Sequence, residues 1–206
     1  MFERLIMEAR TPSRNRRRWI ALVSSIVILC LGYAAVPRLA RVWRVYRDMS
    51  AAEVASATVI GEPPTDWRTI DLDGTPHALT DYRGKVVVLD FWYAGCGHCL
   101  NAMPKMIALS EEFKHEPVVV LGVNTDTGEE RGQRQRVIDA LQVNYPTLED
   151  EHDGARIHET YKVSAWPTMI VLDQHGVVQH VHCGNMPWLK GALAGEIREL
   201  IDKESR

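Results

Sequence analysis

Val86-Val87-Val88-Leu89-Asp90-Phe91-Trp92, followed after Tyr93-Ala94-Gly95 by Cys96-Gly97-His98-Cys99, is the stretch that decides the fold of this chain. A nearly continuous apolar run of this length reads as a strand covered on both faces. The residues after it read as a helix, so the cysteine pair lies where a strand feeds a helix N-terminus. Unsatisfied backbone N–H groups at a helix start carry roughly half a positive charge, which favours an anionic sulfur over a neutral thiol. Cys96 is therefore expected to be the nucleophile. Cys99, one turn further in, is placed to attack the mixed disulfide that Cys96 makes with a partner, so the pair can shuttle two electrons. The competing reading is half of a structural zinc site. Zinc takes four ligands, however, and the four cysteines of the chain supply no second closely spaced pair.

Outward from the motif, 206 residues with 46% hydrophobic content suffice for one well-packed domain and an appendage. The charge is uneven. Residues 1–50 hold ten Arg against only Glu3, Glu8 and Asp48, although the whole chain is net −3. This is a basic, membrane-facing head on an acidic body, and no nucleic-acid partner is expected. Trp19 to Val36 contains no charge, and 18 residues of helix reach about 27 Å, enough to cross a bilayer core of about 30 Å. The run reads as one transmembrane helix. A cleaved signal peptide and a buried helix are the alternatives; Ala34-Ala35 offers a small-residue cleavage region, but the flanks argue for retention. Arg38, Arg41, Arg44 and Arg47, interleaved with Trp43 and Tyr46, look like an interfacial anchor. Six Arg precede the span and four follow it, a bias that keeps the N-terminus in the cytoplasm and the body outside the membrane, in an oxidising compartment. The expected organisation is a basic N-terminus (1–18), a span (19–36), a juxtamembrane segment and small-residue tether (37–60) and a folded domain (61–206).

Within that domain, Trp67–Leu72 and Thr75–Leu79 flank Asp73-Gly74, a dipeptide that supplies the positive φ angles of a tight turn, so an N-terminal β-hairpin is expected. Val86–Trp92 and Val118–Val123 should be central, parallel strands. Helices are predicted from Cys96 to about Lys114 with a kink at Pro104, over Glu129–Val143, over Gly154–Val163, and from Trp188 to about Lys203. Thr168–Leu172 and Val177–His182, joined by Asp173-Gln174-His175-Gly176, predict a second hairpin at the far side of the sheet.

Asp90-Phe91-Trp92, Cys96-Gly97-His98-Cys99, Met103-Pro104 and Trp166-Pro167-Thr168 together resemble the thioredoxin-like superfamily. The N-terminal hairpin, the opening Leu79-Thr80-Asp81-Tyr82-Arg83-Gly84-Lys85 and the extra segment between Asn124 and Tyr161 are similar to its TlpA/ResA-type branch of membrane-anchored thiol-disulfide oxidoreductases, related to the AhpC/TSA redoxin group. The resemblance covers about Gly61 to Ile201. It implies an α/β fold, a central mixed sheet flanked by helices with the added hairpin and preceded by one transmembrane helix. It also implies a disulfide exchange enzyme that needs no cofactor beyond the Cys96–Cys99 pair, with protein thiols or disulfides, such as those of apocytochromes, as substrates. A membrane electron donor or acceptor would be its redox partner.

The resemblance assigns further roles. Pro167 matches the family's cis-proline facing the dithiol, which leaves the backbone of Trp166 free to pair with an extended substrate. Asp90 matches a buried acid behind the dithiol, and an acid inside an apolar strand should have a raised pKa suited to proton exchange with Cys99. Many TlpA-type relatives carry Asn there, so this chain departs toward minimal thioredoxin; a solvated strand-end carboxylate is the alternative. His98, near the helix start, should stabilise the Cys96 thiolate and make the disulfide more oxidising. Cys-Gly-His-Cys is also the motif of protein disulfide isomerases, at about −180 mV against about −270 mV for thioredoxin, so motif and scaffold point in opposite directions of electron flow. Gly95 stands where relatives commonly have Trp, removing an apolar wall beside Cys96, and Trp166 is bulky enough to replace part of it. Gly95, Gly97 and Trp166 are thus the candidate substrate-binding positions.

Two other activities are weighed against exchange. A thiol peroxidase would need Thr three residues before the attacking cysteine, and that position is Tyr93. A copper-binding metallochaperone on the same fold could use both sulfurs with a distal His, but such proteins usually space their cysteines more widely. His180, His182 and Cys183 tempt a metal reading. Strand alternation puts the two histidines on one face and the cysteine on the other, so a plain surface strand with one spare thiol, oxidation-prone if exposed, is expected and no metal.

Overall fold

The computed structural model describes residues 59–62, 65–128 and 131–204. The expected span over 19–36, the basic segment before it and most of the tether lie outside those residues. Among the described residues, no helix is long and apolar enough to cross a membrane.

In chain order the elements are β1 (Arg68–Ile70), β2 (Pro76–Ala78), a 3-10 turn (Leu79–Tyr82), β3 (Val86–Trp92), α1 (Gly97–Glu112), β4 (Val118–Asn124) and α2 (Arg131–Leu141). They continue with β5 (Thr147–Glu149), β6 (Glu151–His152), β7 (Ala155–Arg156), α3 (Ile157–Thr160), β8 (Thr168–Leu172), β9 (Val178–Cys183) and α4 (Leu189–Glu204). Five strands form the central sheet in the order β5-β4-β3-β8-β9. β3 runs parallel to β4 and β4 to β5, while β8 is antiparallel to both β3 and β9. The sheet is therefore mixed. Every residue of β3 is buried, which is why its sequence is a run rather than an alternation.

Alternation still sorts that run between two cores. Val87, Leu89 and Phe91 join Leu121, Val123, Ile170 and Leu172 on one face, under Trp67, Leu79, Ile157 and Tyr161. Val86 and Val88 join the opposite face, where α1 contributes Ala102, Met106 and Leu109 and α4 contributes Leu189, Leu193, Ile197 and Leu200. Trp92, on the same face, packs with Cys96, Cys99 and Met103. Pro104 lies inside α1, which the expected kink does not divide into two elements.

The N-terminal hairpin forms, but its turn is wider than a two-residue loop. Ile70 pairs with Pro76, the Gly74 N–H bonds to the Asp71 carbonyl, and the Asp71 N–H bonds to the Thr75 carbonyl. Gly74, at φ +84°, takes the left-handed position that closes a three-residue loop. The Asp71 carboxylate accepts from the N–H groups of Asp73 and Thr75 and fixes this form. The hairpin docks beside β5, with Leu72 N–H bonding to Thr147 O and Thr69 Oγ1 to Glu149 O.

The helix expected over Gly154–Val163 shrinks to the single turn Ile157–Thr160. The residues before it make the small β6–β7 hairpin, because Asp153 (φ 52°) and Gly154 (φ 79°) both take left-handed conformations. Asp150 then ties down the turn: its carbonyl accepts from Ile157 N–H and its carboxylate from His158 N–H.

Candidate active site

β3 and β4 both end at one edge of the sheet, and β8, being antiparallel, begins there, with Phe91 opposite Thr168. Topology alone thus brings the Tyr93-Ala94-Gly95-Cys96 loop to the residues that precede β8. The Cys96 N–H bonds to the Tyr93 carbonyl, and the Cys96 carbonyl accepts from Leu100 N–H as α1 starts. Cys96 is the N-cap of α1. Its Sγ accepts the Cys99 backbone N–H at 3.1 Å, so one of the orphan donors at the helix start points at the sulfur. Cys96 and Cys99 are joined as a disulfide. Cys96 is 5% exposed and Cys99 1%, which makes Cys96 the outer and Cys99 the inner sulfur. Gly95, Gly97 and His98 are exposed around the pair.

The loop is clamped from β4. Asp126, itself buried, accepts the Ala94 N–H with both carboxylate oxygens at 3.0 and 3.1 Å and the Asn124 amide at 2.8 Å. Two polar residues at and just past the end of an apolar parallel strand, Asn124 and Asp126, are the sequence signal for this clamp, since sites gather at the carboxyl ends of parallel strands. Beyond that position neither residue stands out in the sequence, where no motif marks it.

On the other side of the loop, the Trp166–Pro167 bond is cis and Pro167 is buried. The Pro167 carbonyl accepts the Gly184 N–H at 2.7 Å, and Thr168 Oγ1 donates to the Ala165 carbonyl. Trp166 packs on the cluster that holds Cys96, Cys99 and Met103, edge-to-face with Tyr93 at 6.0 Å between ring centroids. His158 lies against its ring at 6.3 Å and hydrogen-bonds Asp150. Trp166 and Tyr93 thus wall the dithiol, and a side chain added at Gly95 would meet the Tyr93 ring at ordinary contact distance.

Asp90 is no strand-end carboxylate. It is mid-strand and 1% exposed, on the sheet face that α1 covers, between Val88 and Trp92. Its Oδ2 accepts from the Tyr145 hydroxyl at 3.2 Å. Burial pushes the carboxyl up to about 7, while the Tyr145 bond pulls in the opposite direction.

The Cys183 group departs from expectation in one respect, the burial of its cysteine. His180 and His182 do share a face, and both approach Glu196 of α4, at 3.6 and 2.9 Å. Cys183 lies on the other face but is buried at 5%, opposite Thr168 in the β8–β9 register, so it is not the exposed, oxidation-prone thiol of a surface strand. Cys183 shares its face with Val181, which joins the core on the side of the sheet away from α4, a tertiary burial that alternation along β9 does not encode.

Comparison with known proteins agrees with this geometry. The AhpC/TSA family signature matches residues 60–181, more than half of the chain. The thioredoxin-like protein YneN of Bacillus subtilis is 30% identical over 171 residues, which cover 82% of this chain and 92% of that protein. The thiol-disulfide oxidoreductase ResA of Geobacillus thermodenitrificans is 32% identical over 165 residues, 80% of this chain and 88% of ResA. Among solved structures, a protein described as a thiol:disulfide interchange protein DsbE from Chlorobium tepidum superposes with a TM-score of 0.62. It is 26% identical, covering 69% of this chain and 97% of that one. Fold, dithiol placement and relatives converge: the chain belongs to the AhpC/TSA family and is a thioredoxin-fold thiol-disulfide oxidoreductase of the ResA type.

Proposed function

We propose that this enzyme is anchored by residues 19–36 and exchanges the Cys96–Cys99 disulfide with protein thiols or disulfides on the extracytoplasmic side of the cell membrane. The observation that carries the reading is the N-cap position of Cys96, with the Cys99 N–H aimed at its sulfur. That bond, with the dipole of α1 behind it, favours the thiolate and makes Cys96 the attacking atom.

In the reducing direction, the Cys96 thiolate attacks one sulfur of a partner disulfide; a Cys96–partner S–S bond forms and the partner's second sulfur leaves as a thiolate. The Asp90 carboxylate takes the Cys99 proton, and the Cys99 thiolate attacks Cys96 Sγ. The Cys96–Cys99 bond forms, the Cys96–partner bond breaks, and the partner leaves with two electrons. Oxidation of a partner dithiol is the same sequence reversed. His98, exposed at the helix start, adds a donor near the sulfur and raises the potential. Trp166, Gly95 and Gly97 border the surface a partner strand would meet, with the cis Trp166–Pro167 peptide facing the pair. Apocytochrome cysteines are one such substrate class, and a membrane thiol carrier would restore the starting state.

The test is trapping in cells. Cys99→Ser is expected to accumulate disulfide-linked adducts through Cys96, released by dithiothreitol, whereas Cys96→Ser forms none and abolishes turnover. Adducts formed equally by the two variants would reverse or remove the assigned order of attack.

A further inference from the structure

On its sheet face Asp90 is surrounded by the apolar Val88, Trp92 and Met169, and among the described residues its side-chain hydrogen bond is to Tyr145. The β4 partner of Asp90 is Gly122, which has no side chain to cross the gap. Tyr145, from the segment between α2 and β5, crosses that gap: its ring edge lies 3.3 Å from where a Cβ on Gly122 would stand, and its hydroxyl reaches Asp90 Oδ2. Thr147 Oγ1 and Trp92 Nε1 close on the same point at 3.0 and 3.2 Å, so even one methyl group at Gly122 would press on three side chains. Glycine is required here by space, because its φ is ordinary.

We propose that Tyr145 is a positioning residue for disulfide exchange, whose hydroxyl, admitted by Gly122, holds the Asp90 carboxyl and sets the pH at which that acid accepts the Cys99 proton. The inference rests on the proton-exchange reading of Asp90. Tyr145 is buried, and burial followed by the charge of Asp90 raises its phenol well above the ordinary range, so it stays a donor throughout the working pH. A donor to a carboxylate favours the ionised form. The groups around Asp90 are Tyr145 itself, Gly122 and Thr147 from β4 and β5, the apolar Met169 opposite it on β8, and α1 with the Cys96–Cys99 pair above that face; among the described residues, Tyr145 is the hydrogen-bond partner that alters its titration.

The experiment follows the Asp90 carboxyl directly, by carbon NMR of the full chain with labelled aspartate, and in parallel the pH profile of partner release from a Cys96 mixed disulfide. Tyr145→Phe keeps the ring and removes the donor. It is expected to raise the Asp90 midpoint by about one pH unit, the scale of one charge-assisted bond, and to move the release profile the same way. Release at neutral pH should slow several-fold and recover at higher pH. Gly122→Ala, which displaces the ring without touching its hydroxyl, should shift both in the same direction. An unmoved Asp90 midpoint in Tyr145→Phe would overturn the inference while leaving the role of Asp90 intact. A release profile unchanged by Asp90→Asn would overturn that role, and the inference with it.

Discussion

Replacing Asp90 by Asn should change how stability depends on pH more than it changes stability at any one pH. Asp90 is 1% exposed and its carboxyl is pushed up to about 7 from an ordinary 3.8, chiefly by burial. Between these values the folded chain holds a proton that the unfolded chain has lost. Stability therefore falls as pH rises through this window, by at most ~1.4 kcal/mol per unit and ~4 kcal/mol in all. This is the reverse of an acid paired with a cation, whose stabilisation is lost on acidification. Asn cannot ionise. Its amide buries a second donor where the protonated acid has a single O–H, which costs ~1–3 kcal/mol, but that cost is the same at every pH. Urea unfolding of the oxidised full chain and of Asp90→Asn, at pH values from about 4 to about 8, separates the two effects. The variant is expected to start at or below the wild type at low pH and to gain on it by ~2–4 kcal/mol by about pH 8. A difference that stays constant across the series would refute a perturbed Asp90.

His98→Pro should lower the reduction potential of the Cys96–Cys99 pair by about 30 mV, equivalent to ~1.4 kcal/mol less preference for the dithiol; equilibration with glutathione buffers and thiol alkylation reads it, and an unchanged or higher value removes His98 from that role. Asp126→Ala strands the Ala94 and Asn124 donors in the interior and is expected to cost ~2–4 kcal/mol in denaturant unfolding, with Asp126→Asn, which keeps an acceptor, costing less. A loss below ~0.5 kcal/mol would mean that the clamp contributes nothing to the loop.

The sheet and the dithiol were legible because each is written locally. A strand buried on both faces is apolar apart from the few polar residues it gives to a site, such as Asp90 and Asn124, and Val86–Trp92 and Val118–Asn124 pair in parallel as their composition predicts. Cys96 announces its N-cap position through the helix pattern behind it. Residues supplied from a distance were not legible. Tyr145 reaches Asp90 across 55 positions and Asp126 reaches Ala94 across 32, and nothing near either residue states its partner. The three-residue β5 is not legible because so short a strand shows too little pattern to distinguish it from a loop. The β6–β7 hairpin is legible in part: Asp153-Gly154 carries the same turn signal as Asp73-Gly74, but the residues from Gly154 on carry a helix pattern that only one turn of the fold realises. The burial of Cys183 comes from its neighbours in the fold, not from its strand.

The most direct test of the central claim is the pH dependence of alkylation at each thiol of the reduced full chain, resolved by mass spectrometry. The account predicts that Cys96 reacts as a thiolate with a midpoint well below the ~8.5 of a free cysteine, and that Cys99 stays slow over the same range. A Cys96 midpoint at ~8.5, or faster labelling of Cys99, would contradict the assignment of Cys96 as the nucleophile.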